Sequence, residues 1–209
     1  MSWTATILAL ALTPLSPAVK DGNLSTSFIQ FPADGTHATK TLAFGDATTD
    51  PRREKIIEIA RLQIGLVNSG KPGELDTTGK KTRQGWQNLL EYFHTAAPGI
   101  WPDEVVKYQK AGLPSWCGIF SLWAVKSAGL DVGNWRQGVG ISGVSGIKQT
   151  SNPQPGDIAY IAKNQHHAIV AKVEGNTITT IDGNSGRMGG EITENKRSRS
   201  KFAGFYTAF

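Results

Sequence analysis

From Trp116 to Ala128 the chain is apolar on nearly every side, with Ile119, Phe120, Leu122, Trp123 and Val125 leaving no polar face for water. A helix of that kind has to be enclosed, so the fold must supply layers around it. Gly129 is placed to stop it. In its first turn, within Pro114-Ser115-Trp116-Cys117-Gly118-Ile119-Phe120, stands Cys117, the only cysteine among 209 residues.

Helical patterns precede this segment and strand patterns follow it. Asp50 can cap a helix with Pro51 at its first position, and Ile56, Ile57, Ile59, Ala60 and Ile64 recur at helical spacing up to Gly65. Asn68 to Lys81 reads as a Gly/Lys-rich loop. A second helix is predicted from Thr82 to Thr95, with Trp86, Leu89, Leu90 and Phe93 on one face, and a short one around Asp103–Lys110. Gly133 to Pro155 is a Gly/Ser-rich connection carrying Trp135. Strand chemistry then takes over at Asp157–Ala162, His166–Val173, Thr177–Ile181 and near Phe202–Tyr206, with Glu174-Gly175-Asn176 as a hairpin turn. The layout is α+β: an N-terminal helix group, a buried helix and an antiparallel sheet of about four to six strands. Residues 1–50, rich in Thr, Ala, Ser, Gly and Pro with short alternating pieces such as 25–31, read as an N-terminal extension; residues 51–209 read as the domain proper.

Composition excludes some classes. One cysteine forbids an intramolecular disulfide. No apolar run approaches the roughly eighteen residues that a membrane-spanning helix needs. Ile7 to Leu12 is apolar, but no Lys or Arg precedes it, and Pro14 and Pro17 close it without a small-x-small cleavage site. If the chain acts outside the cytoplasm, a route other than a Sec signal is therefore expected. The net charge of +5 suits an anionic polymer without choosing among cell wall, nucleic acid and lipid. His37 and His94 have no partners at metal-ligand spacing. Gly138 to Gly146 lacks the strand-before, helix-after context of a phosphate loop. Lys196 to Lys201 reads as a solvated basic loop.

The chemistry lies in three segments. A thiol at a helix N-terminus is exposed to partial positive charge and unpaired amides, which stabilise the thiolate and can stabilise an oxyanion. Ser115 can cap that helix. His166-His167-Ala168-Ile169-Val170 opens a strand with two imidazoles, either of which could serve as base. Strand alternation puts them on opposite faces, and both faces continue apolar. Ile181-Asp182-Gly183-Asn184-Ser185-Gly186 offers Asp182 and Asn184 to orient the base.

Trp116-Cys117-Gly118-Ile119-Phe120 with Trp123 and Ala128-Gly129, Pro155-Gly156-Asp157-Ile158-Ala159-Tyr160, His166–Val170 and Ile181–Gly186 together resemble the CHAP and NlpC-type amidase/peptidase families, over about Arg52 to Tyr206. The resemblance implies a papain-like core and hydrolysis of amide bonds in bacterial peptidoglycan peptides. It implies Cys117 as nucleophile, His166 rather than His167 as base, Asp182 as the orienting group and Asn184 as an auxiliary polar residue. Many CHAP members carry Gln before the cysteine; here Trp116 stands there, which leaves the second oxyanion donor unassigned. No metal or cofactor is implied, nor a nucleic-acid partner or membrane insertion. The small size without wall-binding repeats resembles an antibacterial effector delivered to the periplasm or cell wall by a contact-dependent, type VI-like machine, with a phage lysin or a housekeeping wall hydrolase as the alternatives. An immunity protein and a secretion-machine component would be its partners. The rival readings are an acyltransferase or protein-directed cysteine protease on the same scaffold, and a non-catalytic binding domain.

Overall fold

The structure, a computed structural model, describes residues 50–186 and 189–209. The N-terminal extension expected over residues 1–50 lies, apart from Asp50, outside them. Helix α1 (Pro51–Arg61) starts as its sequence dictates: the Asp50 carboxylate accepts from the Arg52 backbone N–H at 2.9 Å, and Pro51 occupies the first turn. It ends four residues before Gly65, in a run of turns. Helices α2 (Trp86–Ala96) and α3 (Asp103–Lys107) follow, and α4 (Cys117–Ser127) is buried without a break from Cys117 to Val125. Tyr92 of α2 packs among Trp116, Phe120 and Trp123, with ring centroids 4.4 Å from Trp123 and 5.5 Å from Phe120.

Among the described residues the sheet has eight strands, where about four to six were expected from pattern alone. They are β1 (Asn68–Leu75), β2 (Lys81–Gln84), β3 (Lys148–Thr150), β4 (Ile158–Ile161), β5 (His166–Glu174), β6 (Thr177–Ser185), β7 (Glu191–Ser198) and β8 (Gly204–Thr207). Their order is β2-β1-β7-β6-β5-β4-β8-β3, antiparallel throughout. The Gly/Lys-rich segment expected as a loop is the β1–β2 ribbon, which delays the start of α2. Half of the basic run expected as a solvated loop, Lys196 to Ser198, belongs to β7, and Arg199 to Lys201 form a short 3-10 turn. The ribbon and β7 are polar on two faces, so hydrogen-bond ladders hold them and no apolar alternation marks them.

Helix α4 lies against β5 and β6. Ile158, Ile169, Ile181 and Ile192 share the main core with it, while Ala159, Val170, Ile178 and Phe205 form a small cluster elsewhere on the sheet. Alternation along β5 therefore sets His167 on the Ile169 side and His166 on the Val170 side.

Helix α1 is tied to the turn that opens β4. Arg53 donates from Nη1 to Asp157 Oδ1 at 2.8 Å and to the Pro155 carbonyl at 2.9 Å, while Asp157 Oδ2 accepts from the Gln154 N–H at 2.8 Å. Both side chains are buried. Removing one partner of a buried pair strands the other charge, so Arg53→Met should cost about 3–5 kcal/mol in urea unfolding. A loss within experimental error would show that the pair does not anchor α1.

Candidate active site

Local structure delivers three groups to one point. The sulfur of Cys117, at the start of α4, lies against the N-terminal end of β5: the His167 backbone N–H donates to it at 3.5 Å, and the Gln165 carbonyl oxygen is 3.8 Å away. Gly118 makes the close approach feasible, since a Cβ there would sit 2.3 Å from the Trp135 ring and 3.2 Å from His167 Nδ1. The Cys-Gly pair is thus a packing requirement of this corner.

Both imidazoles reach the sulfur. His167 Nδ1 is 3.8 Å from Sγ, and the His166 ring is near enough to pull the Cys117 thiol down through hydrogen bonding and charge. They differ in what stands behind them. His166 Nε2 is 2.9 Å from Asp182 Oδ2, which leaves Nδ1 for the sulfur. The His167 ring instead packs against Tyr160 and Trp135, with centroids 4.9 and 5.6 Å away. Of the two, His166 alone has a carboxylate fixing its orientation among the described residues, the arrangement a general base requires.

Asp182 is fully buried, and its charge is met from several sides. Arg197 Nη2 contacts Oδ2 at 2.7 Å and Arg197 Nη1 donates to Oδ1 at 3.2 Å, while the Thr180 hydroxyl donates to Oδ1 at 2.5 Å. Burial works against ionisation, but the hydrogen bonds from His166, Arg197 and Thr180 outweigh it and hold the Asp182 carboxyl below its ordinary range. Sequence reading missed Arg197. It falls within the basic run, and nothing in that run distinguishes the one residue that turns toward Asp182.

The same balance sets the other two groups. Burial would push the Cys117 thiol up; hydrogen bonds from His166 and His167 and the His166 charge reverse this and bring it down to about 5. Burial would push His166 down, but the bonds to Asp182 and Cys117 raise it to about 9. Between those limits the pair rests as thiolate and imidazolium, titrating as a unit.

Asn184 sits in the left-handed region at φ 54° and donates from Nδ2 to Ser115 Oγ at 3.3 Å; Ser115 Oγ is in turn 3.6 Å from the sulfur. Ser115 is therefore not the helix cap expected from sequence. Trp116 occupies the N-cap position with no side-chain cap, and its indole N–H donates to Ser69 Oγ at 3.2 Å. The indole is thus committed to the β1 ribbon. The cleft beside Cys117 has a volume of about 380 Å³ and is walled by Trp135, Tyr160, Tyr206, His167 and the loop from Gly138 to Ser142.

Residues 108–184 match the family model of the CHAP domain. That stretch runs from the approach to α4 through Cys117, the histidine strand and Asp182 to Asn184, so the family resemblance holds over the segments that carry the chemistry. No curated protein and no solved structure gives a significant match.

Alkylation of Cys117 by iodoacetamide should rise with pH through about 5, because the thiol loses its proton there. In His166→Ala the rise should move toward the ordinary thiol range, with the rate at neutral pH falling by about tenfold or more. His167→Ala, which keeps the backbone N–H to sulfur and the Asp182–His166 pair, should change the rate much less. A native profile rising only in the ordinary thiol range, or equal losses in the two variants, would contradict this geometry.

Proposed function

We propose that this chain, with its CHAP-domain segment, is a papain-like cysteine amidase or endopeptidase that cleaves peptide amide bonds in bacterial cell wall. The observation that carries the reading is the line Asp182–His166–Cys117 at the N-terminus of a buried helix. CHAP domains are in general amidase/peptidase hydrolases of peptidoglycan, and the net charge of +5 suits an anionic wall.

In this mechanism the Cys117 thiolate attacks the amide carbonyl carbon, and the carbonyl oxygen takes the negative charge. The first-turn amides of α4 stabilise that oxyanion, since the N–H groups there have no intrahelical acceptor. Ser115 is the second donor we assign: its oxygen accepts from Asn184, and its proton, which faces the thiolate at rest, turns to the oxyanion once the sulfur is bonded to carbon. As the carbon–nitrogen bond breaks, His166 passes its proton to the departing amine and a thioester remains. His166, now neutral, takes a proton from water, whose oxygen attacks the thioester. The acid product leaves and the thiolate–imidazolium pair is restored. Asp182 keeps Nδ1 aimed at the sulfur throughout.

Digestion of purified peptidoglycan followed by mass spectrometry tests the proposal. The native protein should generate paired new amino and carboxyl ends, and Cys117→Ala should generate none. Cleavage that survives in Cys117→Ala would sink the mechanism. The pH profile of cleavage should climb near pH 5, as the thiolate forms, and fall above about 9, as His166 loses the proton it must donate.

The narrower part of the proposal is delivery as an antibacterial effector, which an immunity protein would neutralise in the producing cell. Directing the native chain to the periplasm of a susceptible bacterium should lyse it, and retention in the cytoplasm should not. Equal toxicity in both compartments would contradict a wall target.

A further inference from the structure

Arg83 lies on β2, an element outside the CHAP match, and only 5% of it is exposed. Its Nη1 donates to the Ser69 carbonyl at 3.2 Å and its Nη2 to the Ala111 carbonyl, while its Nε has no hydrogen-bond partner among the described residues. No carboxylate among the described residues pairs with it. Arg53 and Arg197, the other two arginines drawn into the interior, each have a buried aspartate. A guanidinium cannot shed its charge as a lysine can, and a buried one without a counter-ion is costly. Two carbonyls could be joined by a neutral donor, so a structural staple does not explain why the residue is charged.

The guanidinium borders a hollow of about 270 Å³. Leu113 and Pro114 form one wall, the backbone at Gly70 and Gly190 another, and Asn184 stands at its edge. Asn184 bonds Ser115, whose oxygen is 3.6 Å from the Cys117 sulfur, so the hollow connects through Asn184 and Ser115 to the nucleophile, which itself lines the aromatic cleft. None of the residues lining the aromatic cleft is Asp, Glu, Lys or Arg.

We propose that the Arg83 hollow is a carboxylate-binding subsite of the Cys117 centre. On the hydrolase reading above, on which this inference rests, the substrate is then an amide whose uncharged part fills the aromatic cleft and whose free carboxylate seats against Arg83. Such an anion supplies the missing counter-charge, and the planar fork of arginine suits it.

The test needs only a reactive thiol, so it is separate from wall cleavage. Bromoacetyl-glycine peptides of increasing length, each as the free acid and as its C-terminal amide, would be used to alkylate Cys117. At one length the acid should react about tenfold faster than the amide, as one charge-assisted contact provides. Arg83→Gln should bring that ratio to about one. Equal rates for acid and amide at every length would overturn the proposal. So would a preference that survives in Arg83→Gln, which would trace it to the His166 imidazolium. If Arg83→Gln does not fold, competition on the native protein decides. Acetyl-glycine peptide acids should slow alkylation and their amides should not; equal effects would overturn the subsite. Failure of wall cleavage together with an Arg83-dependent ratio would reject the proposed reaction and leave the subsite standing.

Discussion

A buried carboxylate governs this molecule. Asp182 sits at zero exposure between two cations, Arg197 on one side and the His166 imidazolium on the other, and the Cys117 thiolate follows next in line. The charges alternate along the row, so each ion is stabilised by its neighbours in surroundings that would otherwise neutralise it. His166, Arg197 and Thr180 together hold the carboxylate ionised against its burial, and the carboxylate in turn raises the imidazole and fixes its aim. The low thiol pKa is the last consequence of that order, and the helix N-terminus adds to it.

The fold exists around this row in a literal sense. The apolar helix α4 fixes one end, because its burial on every side leaves no freedom to rotate. Adjacent strands β5, β6 and β7 supply His166, Asp182 and Arg197. Gly183, between Asp182 and Asn184, lets β6 run close under α4; a Cβ there would lie 2.7 Å from the Phe120 ring. The β1–β2 ribbon then closes the flank, receiving the Trp116 indole at Ser69 and contributing Arg83.

The site was legible in the sequence to the extent that its chemistry requires rare residues on regular elements. One cysteine opening an all-apolar helix, a histidine opening an apolar strand and Asp182 ending the next strand survive any reading of the pattern, and the structure brings them together. His166 and His167 could not be separated by alternation, because the sulfur meets the strand at its first residues, where both rings reach it; the partner behind the ring separates them. The supporting arginines were invisible for a different reason. Arg83 and Arg197 lie on strands polar on both faces, where nothing in the spacing tells a buried guanidinium from a solvated one. The same polarity concealed β1, β2 and β7, whose pairing depends on backbone ladders and not on apolar periodicity.

Nitrogen NMR of the histidine rings, followed across pH, addresses the resting ion pair most directly. His166 should carry protons on both ring nitrogens at neutral pH and lose one only near pH 9, while Cys117 is already a thiolate. A His166 ring with a single proton at neutral pH, beside a protonated sulfur, would contradict the charge-alternating row and the mechanism built on it.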